Sequence, residues 1–198
     1  MATLTPRILK AQQKDSNPDI ILNWGCGHTK SNKWINLDAD PKVEPDYVES
    51  ITRFPWDWED ASVDEVYMHH VIEHVSKAFH NNIFLEANRV LKPGGYLFIA
   101  YPDFIRCAQA FIDNKNGNRE FWEMTLYGRQ TSSGDFHICA VHEDYIIGKL
   151  LDCGFKLENM KETACTPQYT EALFYKHREV VSHEEAAGNQ WRSQNQQS

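Results

Sequence analysis

Apolar positions along this chain follow two alternating periods. Residues 20–22, 34–37, 47–48, 66–68 and 96–101 are short β-branched, aromatic or aliphatic runs bounded by Gly, Pro, Asp or Asn, and read as strands. The run at 20–22 shows no polar alternation, as expected of a strand buried on both faces. Residues 78–91 place Phe79, Ile83, Phe84, Ala87, Val90 and Leu91 at three- and four-residue steps, which predicts an amphipathic helix closed by Pro93-Gly94-Gly95. A helix-like run follows at 104–112, then a polar stretch and the aromatic residues 121–128, and another amphipathic helix at 143–154 stops at Gly154. Residues 155–160 and 171–176 complete a count of seven strands. A polar helix is expected over 7–14, and the Gln/Asn/Ser-rich residues 181–198 are expected to form a disordered tail after one domain spanning 1–180.

The most informative stretch joins the first two strands through Gly25-Cys26-Gly27 and ends at Asp38. Glycine permits positive φ and close backbone approach, so this turn can present amides to a ligand, with Asn23 and Cys26 beside it. Asp38 falls at a strand's carboxyl end, where open α/β sheets bind ribose hydroxyls. A plain hairpin with a solvated Asp38 is the structural alternative. The dinucleotide fingerprint is not met: Lys30 occupies the third glycine position, and the gap from Gly27 to Asp38 is too short for a crossover helix. Residues 28–33 can span roughly 20 Å when extended, so the crossover is expected as a loop.

The second stretch is Met68-His69-His70-Val71-Ile72-Glu73-His74, at the carboxyl end of the fourth strand. His70 is the candidate general base, with His69 a weaker one because strand alternation turns only one of the two toward the crevice. His70, Glu73 and His74 also read as a divalent-metal set. The competing assignment, which we favour, has Glu73 capping a helix, His74 packing over it and no metal. Asp103, after Pro102, is either a base or orienting carboxylate or a helix N-cap.

Leu22-Asn-Trp-Gly-Cys-Gly27, Trp34-Ile-Asn-Leu-Asp38 and His70-Val-Ile-Glu-His74 together resemble class I S-adenosylmethionine-dependent methyltransferases, as does the passage from Glu86 to Leu97. The resemblance implies a Rossmann-like three-layer α/β sandwich: seven mostly parallel strands, an antiparallel last strand and a shortened first crossover. It implies S-adenosylmethionine as cofactor, held by Asn23, Gly25, Cys26, Gly27 and Asp38, with His69 and His70 lining the methyl-transfer side. Glu49 and Ser50 take the places that recognise adenine, and Trp56 a place in the pocket wall. Residues of about 104–137 correspond to an acceptor-side insertion, from which His137 is a further catalytic candidate able to reach the histidine cluster. Some O-methyltransferases carry Glu-x-x-Glu-His for a divalent ion where this chain has His70-x-x-Glu73-His74.

Composition narrows the acceptor. A formal net charge of −8 disfavours nucleic acid as a partner, and the fourth strand lacks the Asp/Asn-Pro-Pro-aromatic motif of amino-methylating nucleic-acid enzymes. Five cysteines without CxxC spacing suggest neither a disulfide framework nor a zinc ribbon and fit a reducing compartment. No apolar run reaches the length of a membrane span, so the expectation is a soluble, cytoplasmic enzyme that methylates a small molecule or sugar at oxygen or nitrogen. The rival classes are a noncatalytic cofactor-binding module, a metal-dependent O-methyltransferase and a nicotinamide-dependent oxidoreductase.

Overall fold

A computed structural model describes residues 19–132, 134–162 and 169–176. Seven strands, β1 (Ile21–Trp24), β2 (Ile35–Asp38), β3 (Tyr47–Val48), β4 (Val63–His69), β5 (Leu91–Pro102), β6 (Phe155–Glu162) and β7 (Tyr169–Lys176), form one sheet in the order β3-β2-β1-β4-β5-β7-β6. All neighbouring pairs are parallel except those made by β7, which runs antiparallel to both β5 and β6. Chain order reverses between β1 and β4, which is where open α/β sheets form their ligand crevice. Four helices accompany the strands: α1 (Lys77–Val90), α2 (Phe104–Ile112), α3 (Arg119–Tyr127) and α4 (Glu143–Asp152). The helix expected over 7–14 and the tail expected over 181–198 lie outside the described residues.

Alternation sorts the strand residues onto two unlike faces. Leu22, Trp24, Val66, Met68, Leu97, Ile99, Ala172 and Phe174 share one face and are all but inaccessible to solvent. Ile83, Phe84 and Ala87 of α1 and Ile146 and Leu150 of α4 join the same buried cluster. Ser76 caps α1 by accepting from the Ala78 amide. Glu86 accepts from the Trp56 amide at 2.8 Å, and Arg89 donates to the Trp56 and Trp58 carbonyls and to Asp60, so one helical turn clamps the aromatic segment before β4 onto the core.

The opposite face carries Asn23, Asn36, Tyr67 and Phe98 in register. The β1–β2 crossover is a loop, as its length requires, and this face holds it by polar contacts. Asn23 Nδ2 donates to the Thr29 carbonyl at 2.9 Å and to Asn36 Oδ1 at 3.2 Å. Asn36 Nδ2 donates to the Ser31 carbonyl and to Asp46. Lys30 Nζ donates to the carbonyls of Val43 and Glu44, so the residue at the missing third-glycine position ties the loop to the next turn. At the end of the crossover Trp34 stacks on Tyr67 at 4.9 Å, and Tyr67 leans on Phe98 at 5.2 Å.

One predicted boundary differs. Pro93-Gly94-Gly95 does not separate helix from strand: β5 begins at Leu91, directly after α1, and the register jumps from Val63↔Leu91 to Glu65↔Tyr96. The prolyl-glycyl segment is therefore a bulge inside β5. Gly95 makes it possible, since a Cβ there would lie 2.7 Å from the Asp64 carbonyl oxygen.

Candidate active site

The carboxyl ends of β1, β2 and β4 converge on the glycine turn. Cys26 N donates to the Leu37 carbonyl at 3.1 Å and Gly27 N to Asp38 Oδ2 at 2.9 Å, locking the turn against the end of β2. Gly25 and Gly27 have φ of +61° and +49°. A Cβ on Gly25 would lie 2.5 Å from Val71 Cγ2, so only glycine lets the turn pack against the segment after β4. Among the described residues no neighbouring atom lies within 4 Å of a Cβ built on Gly27, so the turn is open toward them there.

Asp38 also accepts from the Asp40 amide through Oδ1. A carboxylate has about four acceptor sites, so each oxygen keeps capacity for a hydroxyl donor. The Glu49 amide donates to the Asp38 carbonyl at 2.8 Å, placing a second, largely buried carboxylate on the adjoining strand end, followed by Ser50. An open glycine turn flanked by Asp38 and Glu49 suits S-adenosylmethionine, whose ribose hydroxyls and adenine amino group require acceptors. When bound, that group supplies a methyl already activated by a sulfonium.

Three residues expected at the cofactor have their side chains engaged within the protein. Asn23 is 4% exposed beneath the crossover loop, where its amide serves the strap described above. Trp56 is 2% exposed, rests 4.7 Å from Trp24 and donates its indole N–H to the Ile51 carbonyl, which makes it a core residue. Cys26 is buried, and burial together with Asp38 raises its thiol pKa, so it packs as a neutral group.

The histidines lie across the crevice. His69 is exposed and parallel to Phe98, while His70 turns out of the strand with φ +55°, its amide donating to the Ala100 carbonyl. His70 Nδ1 meets Glu73 Oε1 at 3.0 Å. Glu73 is 1% exposed, and it caps nothing; the cap of α1 is Ser76. Asp103 caps α2, accepting from the Arg106 amide at 3.1 Å and, through its other oxygen, from the Glu143 amide of α4 at 2.9 Å. With 2% exposure and both oxygens on backbone amides, it is the hinge pin between two helices and is not placed to take a proton.

His137 does reach the cluster. Its amide donates to the Tyr127 carbonyl, the next amide, Ile138 N, donates to the Glu73 carbonyl, and its ring lies 4.8 Å from His74. Burial, the largest cause, lowers its pKa and favours neutral imidazole. Glu73, His74 and His137 thus come together, whereas the metal set read from the local spacing had His70 in place of His137. Asp135-Phe-His137 was the available signal, but the long insertion before it hid the contact.

Residues 22–99 match the family described as a methyltransferase domain. Solved structures share the fold at low identity. A Methanosarcina mazei S-adenosylmethionine-dependent methyltransferase superposes with TM-score 0.57 at 20% identity, over 90% of this chain and 100% of that one. An Archaeoglobus fulgidus S-adenosylmethionine-dependent methyltransferase gives 0.58 at 13% identity, over 86% and 91%. A chain from a Haloferax volcanii complex between the Trm112 methyltransferase activator and a methyltransferase gives 0.52 at 14%, over 87% and 89%. No curated protein matches the chain. Among the described residues no helix is long and apolar enough to cross a membrane. The matched domain, the strand order and the glycine turn braced by Asp38 together support an S-adenosylmethionine-dependent methyltransferase.

Proposed function

We propose that this methyltransferase moves a methyl group from S-adenosylmethionine to an oxygen or nitrogen of a small molecule or sugar, in the cytoplasm. The carrying observation is the open Gly27 turn bonded to Asp38 at the β1/β4 switch point. Gly25, Gly27 and Asp38 hold the cofactor, Asp38 by accepting from ribose hydroxyls, and Glu49 with the Ser50 amide recognises the adenine edge. His69 and His70 line the methyl side. His70 takes the acceptor proton: Glu73 Oε1 accepts from Nδ1–H, which fixes the ring and leaves Nε2 as the basic nitrogen. Residues of about 104–137, carrying α2 and α3, wall the acceptor side. Net charge of −8 supports an acceptor other than nucleic acid, and the odd number of cysteines supports a reducing compartment.

Calorimetry with S-adenosylhomocysteine tests the cofactor assignment. Micromolar affinity, about −8 kcal/mol, is expected, and Asp38→Ala should weaken it by about 10- to 100-fold through loss of charge-assisted hydrogen bonds. Absence of binding to folded protein would remove the methyltransferase reading. Binding without methylation across hydroxyl and amine acceptors would favour the noncatalytic module, and competition by a nicotinamide dinucleotide would revive the oxidoreductase.

A further inference from the structure

We propose that Glu73, His74 and His137 form a site for a divalent first-row transition ion. A carboxylate oxygen of Glu73 and one ring nitrogen from each histidine lie within 4.8 Å of one another. Coordination at about 2.0–2.2 Å from each atom requires only a small inward closure. Two nitrogens and one carboxylate oxygen select zinc, iron, cobalt or manganese over magnesium or calcium, and three ligands leave a position open.

The second observation is Glu73 itself. The residue is 1% exposed, and its Oε2 is buried without a hydrogen-bond partner among the described residues, an arrangement that normally costs folding free energy. Neighbouring groups already anchor two of the three side chains. Glu73 Oε1 is held by His70 Nδ1 at 3.0 Å. His74 Nδ1 faces the Phe136 carbonyl at 2.9 Å; a carbonyl only accepts, so Nδ1 carries the proton and Nε2 carries the lone pair. Glu73 and His74 thus each have one side-chain atom anchored by a neighbour, as outer-shell partners do at metal sites. One backbone bond and one thiol contact hold the two segments together: Ile138 N donates to the Glu73 carbonyl, and Cys139 Sγ lies 3.3 Å from the Val75 carbonyl.

The site adjoins His70 on the histidine side of the crevice. Its catalytic use rests on the methyltransferase reading: the ion would bind the acceptor oxygen and lower its pKa, while His70 takes the proton. Ion binding itself does not depend on that reading, so the two are measured separately. Metal-stripped protein is titrated with Co2+ and followed by its visible absorption, Zn2+ is added as competitor, and S-adenosylhomocysteine binding is measured by calorimetry on the same sample. One Co2+ per chain, displaced by Zn2+, is expected. Affinity should fall at least about tenfold in Glu73→Gln and in His137→Gln and stay unchanged in His28→Gln. His137 sits on a strap outside the sheet, so its variant tests the site even where Glu73→Gln unfolds. No stoichiometric Co2+ or Zn2+ binding, or binding that His137→Gln leaves intact, would overturn the proposal. Cofactor-product binding without metal binding removes the metal site alone, and the reverse result removes the methyltransferase reading alone.

Discussion

On one face of the sheet Val66, Met68, Leu97 and Ile99 are fully buried beneath α1 and α4, while on the other the same strands present Tyr67 and Phe98 half-buried. Asn23 and Asn36 are buried on that second face under a loop. The first face is held by apolar area, which tolerates no lost volume but makes few demands on direction. The second is held by directional hydrogen bonds and ring stacking, because the six residues from His28 to Lys33 are too few to lay an apolar helix there. The difference matters for function, since the same crossover loop begins at Gly27 and ends at β2, whose last residue is Asp38. A helical crossover could be rigid by packing alone; this one depends on two asparagines.

The largest effect should come from the first face. Phe174→Ala, at 0% exposure, should destabilise by about 3–5 kcal/mol, read from urea midpoints. Asn36→Ala should cost less, about 2–3 kcal/mol, by unpairing Asn23, Ser31 and Asp46. It should also weaken S-adenosylhomocysteine binding, which Phe174→Ala should not do in the folded fraction. Equal effects of the two variants on affinity would break the distinction between a packing face and a positioning face. Gly25→Ala sharpens it further: positive φ plus contact with Val71 should cost about 1–3 kcal/mol and reduce cofactor-product affinity together with stability. Tyr67→Ala, removing a half-buried ring between Trp34 and Phe98, should cost about 1 kcal/mol, measured the same way.

Legibility followed the same division. The three- and four-residue steps through Ile83, Phe84, Ala87 and Val90 placed α1 within a residue, and Val66-Tyr-Met placed the middle of β4, which starts three residues earlier at Val63, because apolar periodicity records burial; Phe79, in the same pattern, is exposed. Gly25, Gly27 and Asp38 were readable because positive φ and strand-end acids leave a local signature. Hydrogen-bond destinations leave none. Nothing local distinguishes an asparagine that contacts a ligand from one that straps a loop, so Asn23 was expected in the crevice and lies under the crossover. Trp56 was likewise indistinguishable from a pocket wall until Glu86 and Arg89 of α1 were seen to clamp it. Asp103 satisfied both readings until its second oxygen was found on the Glu143 amide, forty residues away in sequence. His137 was within reach of the histidines by motif, but its pairing with Glu73 and His74 depends on a strap that no spacing rule encodes.

The smallest expected effect probes the one titratable side chain buried between α1 and α4 among the described residues that should make the packing face pH-sensitive. His80 is 0% exposed; its Nε2 lies 2.9 Å from the Val75 carbonyl and its Nδ1 2.9 Å from the Tyr145 hydroxyl. The carbonyl requires N–H at Nε2, so Nδ1 accepts from Tyr145, whose own hydroxyl pKa burial pushes up to about 12. Protonating Nδ1 would reverse that bond and place a charge in a buried site, and burial, with smaller contributions from Lys77 and Lys149, lowers the folded-state His80 pKa below 6.5. The unfolded chain therefore takes up the proton first. Stability from this group is present above pH 6.5, declines as pH falls below that value, and stops declining once the folded protein is also protonated. Urea midpoints from pH 7.5 to 5 should show a steeper loss for the native protein than for His80→Gln. The difference isolates His80 from His137, whose lowered pKa acts in the same direction in both proteins. Parallel curves would mean that the first face holds no proton-linked contact, and that its stability is set by apolar packing alone.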